Sequence, residues 1–170
     1  MVGYHDDEHF VDEKGRTRWK KNIWLAEQLG RLGDFLIIGG YEETHAQRYK
    51  RFAYQLSRWP EPIEQMRHEG RLNQLPDVGP TIAAIIGEYL DCGTSVKWEE
   101  WAQNTPESVV DLTEVQGLGV KMVRTLYQDY GIDSAEALQR AFNAGRLGSI
   151  RGLGPKTVTR IHEWLEARGL

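Results

Sequence analysis

The chain has 170 residues, 40% of them apolar and 27% charged, with a formal net charge of −4. That length suits one compact domain or two small ones. No apolar run nears the roughly 20 residues of a membrane span, no signal-peptide pattern opens the chain, and a single cysteine, Cys92, excludes an internal disulfide.

The charge is unevenly spread. Residues 1–13 carry −5, 14–71 carry +5, 72–112 carry −6 and 113–170 carry +2. A polyanion is expected to favour the two positive stretches.

Residues 1–18 are polar with little periodicity and read as a flexible tail. His5 and His9 are four apart with carboxylates between them, a metal-ligand spacing on a helix, but no helix signal supports one. Trp19 to Ile38 reads as a helix with Trp24, Leu25, Leu29, Leu32, Phe35 and Leu36 on its apolar stripe, ended by Gly39-Gly40. A second helix runs from a Thr44 cap to about Arg58. Trp59-Pro60-Glu61-Pro62 breaks it, and a third runs from about Pro60 to Glu69. Asp91-Cys92-Gly93 is the expected domain boundary, giving domains 19–93 and 94–170. Trp98 and Trp101, on a helix from Thr94 to Gln103, are expected to pack between them. A short helix follows Thr105-Pro106. Asp133 with Glu136 is read as the capping pair of a helix from Ser134 to Ala144. No period-two pattern is long enough to make a strand, so the fold class is all-α.

One pattern recurs three times. Leu72-x-x-Leu75-x-Asp77-Val78-Gly79, Leu112-x-x-Val115-x-Gly117-Leu118-Gly119 and Leu147-x-x-Ile150-x-Gly152-Leu153-Gly154 begin 40 and 35 residues apart. Each is followed by apolar residues at offsets of four, seven and eleven from its last glycine: Ala83, Ile86 and Leu90; Val123, Leu126 and Tyr130; Val158, Ile161 and Leu165. Each copy reads as a turn between two helices. Glycine lets the turn take positive φ and lets another backbone come close. In the third copy Arg151, Lys156 and Arg160 lie off the apolar face, and Pro155 fits the first helical position. A glycine turn, a bare helix N-terminus and nearby cations make a site for an anion held by backbone N–H groups. The alternative is that such turns are ordinary connectors in a helical bundle.

The stretches LPDVGPTIAAIIGEYL, LTEVQGLGVKMVRTLYQDYGI and IRGLGPKTVTRIHEWL resemble the helix-hairpin-helix motifs of family X DNA polymerases, the DNA polymerase beta group. HAQRYKRFAYQLSRWPEPI resembles a helix of their amino-terminal lyase domain, and the full third hairpin is more like the bacterial members. The resemblance spans about Trp19 to Leu170. It implies a DNA polymerase beta N-terminal-like helical domain followed by a tandem helix-hairpin-helix domain.

It further implies that each hairpin grips one DNA phosphodiester without reading bases. By position, the phosphate-binding residues would be Gly117, Gly119, Lys121, Met122 and Arg124, then Arg151, Gly152, Gly154, Lys156, Thr157 and Arg160. Backbone carbonyls of Thr113, Val115 and Leu118, and of Gly148, Ile150 and Leu153, would hold a monovalent cation, sodium or potassium, between protein and phosphate. No other cofactor is implied. The setting would be DNA repair or replication in a bacterial cytoplasm, at the nucleoid, on duplex, nicked or gapped DNA. A separately encoded catalytic protein would be the partner, and no membrane is involved.

Two departures limit the likeness. The family's lyase lysine, which forms a Schiff base with the sugar aldehyde, is replaced by Ile85. Thr81 and His45 stand where pocket lysines are expected, and Tyr49 is kept. Asp77 replaces the first glycine of the first turn, where a carboxylate opposes a phosphate. The palm domain's Asp-x-Asp metal pair is also missing, so the chain is either a fragment or a stand-alone DNA-holding part, with no catalytic residue assigned. Two other functions stay open. One is an abasic or 5′-deoxyribose-phosphate lyase using Lys50 or Lys121. The other is a protein-interaction scaffold docking through the acidic stretch 72–112.

Overall fold

A computed structural model describes residues 8–170. These are mainly helical. The elements are β1 (His9–Val11), β2 (Thr17–Trp19), α1 (Lys20–Gly39), α2 (Glu43–Leu56), α3 (Ile63–His68), α4 (Pro80–Cys92), α5 (Val96–Ala102), α6 (Val120–Tyr130), α7 (Ala135–Asn143) and α8 (Pro155–Ala167). Short 3₁₀ segments cover Leu72–Gln74, Glu107–Glu114 and Leu147–Ser149. Among the described residues no helix is long and apolar enough to cross a membrane.

The stretch expected to be a loose tail is ordered from Glu8 onward, in part as a hairpin. β1 and β2 pair antiparallel with His9 opposite Trp19 and Val11 opposite Thr17. Asp12 builds the turn. Its Oδ1 accepts the N–H groups of Lys14 at 2.9 Å and Arg16 at 3.0 Å, and Gly15 takes φ +73°. Its Oδ2 accepts from the Nε of both Arg16 and Arg18 at 2.9 Å. The Arg16 N–H, then the Lys14 N–H and the two guanidinium groups, hold the Asp12 carboxyl down at about 2, against a partial desolvation that opposes them. Strands of three residues carry too few alternations to reveal a period of two, so the polar composition concealed them. His5 lies outside the described residues, and His9 packs its ring 5.0 Å from that of Trp19.

The chain packs as two compact units. One contains the residues up to Gly33 and Thr44–Glu100; the other contains Asp34–Glu43 and Trp101–Leu170. The division therefore falls at Glu100, beyond the expected boundary at Gly93, and a ten-residue piece including the end of α1 belongs with the second unit.

In the first unit the buried faces of α1, α2 and α4 supply Leu25, Leu29, Leu32, Phe52, Leu56 and Ile86. Asn22 is buried with them. Its Nδ2 donates to Glu61 O at 2.8 Å and its Oδ1 accepts from Ile63 N at 2.9 Å. One side chain thus satisfies the backbone at the entry to α3. α3 is tied to α4 by a two-pronged Arg67–Asp91 pair, both prongs 2.6 Å.

In the second unit α1 closes with Gly40 at φ +102° and a Tyr41 N–H to Leu36 O bond of 2.8 Å, a left-handed helix stop. A Cβ on Gly39 would stand 2.8 Å from the Trp101 ring. Trp101 also meets Tyr41 edge-on at 5.6 Å, while Trp98 lies under the Arg31 guanidinium in the first unit. The two tryptophans thus pack within different units. α7 is capped by Ser134, whose side chain accepts the Ala137 N–H at 3.2 Å, in place of the expected Asp133. The expected pair placed the cap one residue too early.

Candidate nucleic-acid interface

The three repeats share one backbone course. Each opens with a 3₁₀ segment that leads into an extended residue: Leu75 at φ −70°, ψ 134°; Val115 at −66°, 119°; Ile150 at −79°, 121°. Two residues later the turn goes left-handed, at Asp77 (φ +61°), Gly117 (+88°) and Gly152 (+95°). The second glycine is extended in every copy and caps the next helix: Gly79, Gly119 and Gly154. The internal bonds match as well. Val78 N donates to Leu75 O at 3.3 Å, Leu118 N to Val115 O at 2.9 Å and Leu153 N to Ile150 O at 3.1 Å.

The second and third turns leave donors facing outward. Among the described residues, no hydrogen bond takes up the N–H of Gly117, Gly119, Lys121, Met122, Gly152, Gly154 or Lys156. No side chain caps α6 or α8, and all four glycines are exposed. Thr157 departs from its expected role: its N–H donates to Gly154 O at 3.0 Å.

The second glycines are informative. Gly119 and Gly154 have ordinary φ, so the backbone does not require glycine there. A Cβ on either would meet nothing within 4 Å. Neither conformation nor packing within the chain accounts for them. Gly79 of the first turn is equally extended and unobstructed.

The first glycines are held differently. A Cβ on Gly152 would lie 2.5 Å from Met122 Cε, and one on Gly117 would lie 3.8 Å from Thr157 Oγ1. Met122 and Thr157 are equivalent positions of the two repeats, so each turn is covered by the other hairpin's helix in a pseudo-two-fold arrangement.

The side chains divide by exposure. Lys121, Arg151 and Lys156 are exposed, and Arg124, Met122, Thr157 and Arg160 are half-buried. Lys121 pairs with Glu43 at 3.2 Å, a carboxylate that no local pattern could have associated with it. Arg124, Arg151, Lys156 and Arg160 form no ion pair with any described residue. The carbonyls of Val115 and Ile150 each accept one turn N–H, while those of Thr113, Leu118, Gly148 and Leu153 accept none.

The first hairpin sits in the other unit with the same backbone and different side chains. Ile85, at the position of the family's lyase lysine, is a core residue of α4, 5% exposed. Tyr49 is buried, and Lys50 lays its stem against Gly33. Arg48, Arg51, Phe52, Gln55 and Asp77 line a cavity of about 370 Å³. Among the described residues, no group of three or more His, Cys, Asp or Glu is placed to hold a metal ion.

Three left-handed turns feeding bare helix N-termini, two of them packed reciprocally, define a tandem helix-hairpin-helix protein. Residues 109–167 match the family described as the SAM-like helix-hairpin-helix tandem. The chain is also similar to the DNA polymerase/3′-5′ exonuclease PolX of Bacillus subtilis (strain 168), with 32% identity over 95 residues. The match covers 56% of this chain and 17% of the Bacillus protein. The resemblance to bacterial family X DNA polymerases is thus found by comparison as well as in the motifs.

Proposed function

We propose that this protein binds DNA without sequence preference, gripping the phosphate backbone through the second and third hairpins. The observation that carries the reading is the pair of Gly119 and Gly154, small where nothing inside the protein needs them small, beside outward N–H groups with no internal acceptor. Backbone donors at a helix N-terminus bind an anion through the aligned peptide dipoles. Lys121, Lys156 and Arg151 add charge that neutralises phosphates and releases counterions. No base edge is read by such contacts.

A monovalent cation fits the same sites. The carbonyls of Thr113 and Leu118, and of Gly148 and Leu153, have no N–H partner, so hard oxygen donors of the type that hold such ions are available. Those carbonyls would hold the ion, whose positive charge would offset the negative charge of a phosphate.

The name of the Bacillus relative, a DNA polymerase and 3′-5′ exonuclease, supports a place in repair or replication, on duplex, nicked or gapped DNA. Lyase chemistry is not favoured, because Ile85 is packed in the core.

The test is a fluorescence titration of two unrelated duplexes across a salt series. Equal affinities with equal, clearly negative salt slopes are expected. A flat slope on both duplexes would remove the phosphate grip. Intact, nicked, gapped and single-stranded DNA compared at one salt concentration then rank the substrates.

A further inference from the structure

The two hairpins obtain their second cation in different ways. In the third, Arg151 is supplied by the turn itself, directly before Gly152. The equivalent residue of the second is Gln116, which is neutral. The second hairpin's own first-turn lysine, Lys121, is shared with the Glu43 carboxylate at 3.2 Å.

Arg160, on α8 of the third hairpin, lies against the second hairpin's turn. Its Nη1 is 2.8 Å from where a Cβ on Gly117 would stand, and its Cδ is 3.9 Å away. Gly117 therefore makes room for a guanidinium as well as for positive φ. Arg160 is half-buried, and its side chain forms no ion pair or hydrogen bond with any described residue. A partly desolvated guanidinium held against a turn of outward N–H groups needs an anion to complete it. The pseudo-symmetry does not supply a counterpart: the position equivalent to Arg160 is Thr125, whose Oγ1 donates back to Lys121 O at 3.2 Å.

We infer that Arg160 belongs functionally to the second hairpin, where its guanidinium and the Gly117–Met122 backbone donors form one composite site for a single phosphodiester, supplied across the pseudo-two-fold by the third hairpin's helix. This rests on the phosphate grip proposed above. It also makes the second hairpin incomplete without α8, so the two motifs bind as one body.

A double-mutant cycle separates the assignments. Gly119→Ala and Gly154→Ala place a methyl group in open space and each blocks one turn. Arg160→Gln keeps most of the side chain's packing and removes its charge, and thermal melts check that every variant folds. Arg160→Gln is expected to weaken duplex binding roughly tenfold in the parent and in the Gly154→Ala background, as for a charge-assisted hydrogen bond. In the Gly119→Ala background its effect should nearly vanish. Loss of the effect in the Gly154→Ala background instead, or equal effects in both, overturns the assignment. If both glycine substitutions weaken binding and Arg160→Gln does not, the assignment fails and the phosphate grip stands. If neither glycine substitution weakens binding, the phosphate grip itself fails and takes the assignment with it.

Discussion

The first hairpin and the later pair share a backbone and differ in nearly everything attached to it. Asp77, Gly117 and Gly152 all take the left-handed conformation, and Gly79, Gly119 and Gly154 all cap the following helix in extended form. Yet the first turn carries a carboxylate where the others carry glycine, and the helix behind it has Thr81 at its second position, where the others have Lys121 and Lys156, followed by the apolar run Ile82-Ala83-Ala84-Ile85-Ile86. The hairpin is therefore a structural joint first. Its proposed use as a phosphate grip depends on the charge and bulk set around the same N–H groups.

This contrast can be broken most directly at the second glycines. The doubly substituted Gly119→Ala, Gly154→Ala protein is expected to lose DNA affinity by on the order of a hundredfold or more, since each turn forfeits charge-assisted bonds. Its melting temperature should stay close to that of the parent. Gly79→Ala also enters open space and is expected to leave binding unchanged. Equal losses at all three glycines, measured by duplex titration, would place the first hairpin on the DNA too.

A smaller effect is expected from the cations. Lys156→Ala or Arg151→Ala should weaken binding uniformly across sequences and reduce the salt slope by about one each. Lys121→Ala should cost less than Lys156→Ala, because Lys121 is already shared with Glu43. The reverse order in a salt series would contradict the sharing of Lys121 with Glu43.

Asp77→Gly sharpens the comparison from the other side. It replaces a non-glycine residue at φ +61° with the residue suited to that conformation, a gain of up to about 1 kcal/mol. That corresponds to a rise of about 2–4 °C in melting temperature for a chain of this size. It also removes a charge that repels phosphate, so DNA affinity should rise slightly. A lower melting temperature would mean that the Asp77 side chain contributes more than its strain.

The smallest effect concerns acid stability in the first unit. Asp12 is held at about 2 in the folded chain, below its ordinary value of 3.8. A carboxyl depressed by folding adds stability that is complete above 3.8 and disappears as the pH falls through about 2. NMR or hydrogen exchange at the β1–β2 turn should show loosening in that window, and Asp12→Asn should remove the pH dependence.

Much of the fold was legible because the repeats are local. A spacing of apolar residues on both sides of a glycine turn fixes two helices and the bend between them within about 20 residues. The helices of the second half followed, but on α4 the buried side chains are Ile85, Ile86 and Tyr89, whereas of the expected Ala83, Ile86 and Leu90 only Ile86 is buried. The short β1–β2 hairpin was hidden by its own brevity. The role of Asn22 was hidden because its partners, Glu61 O and Ile63 N, lie about 40 residues away.

Sequence by itself determined the three turns, their φ preferences and the helices they join, because glycine, proline and helical periodicity act over neighbouring residues. Tertiary structure alone decided which side chains meet at the turns: Glu43 with Lys121, Met122 with Gly152 and Arg160 with Gly117. Those meetings come from residues 30 to 78 positions apart. They are set by how the helices and 3₁₀ segments of the second unit bury their apolar residues together, and a charge carried on the opposite side of a helix goes wherever that burial turns it.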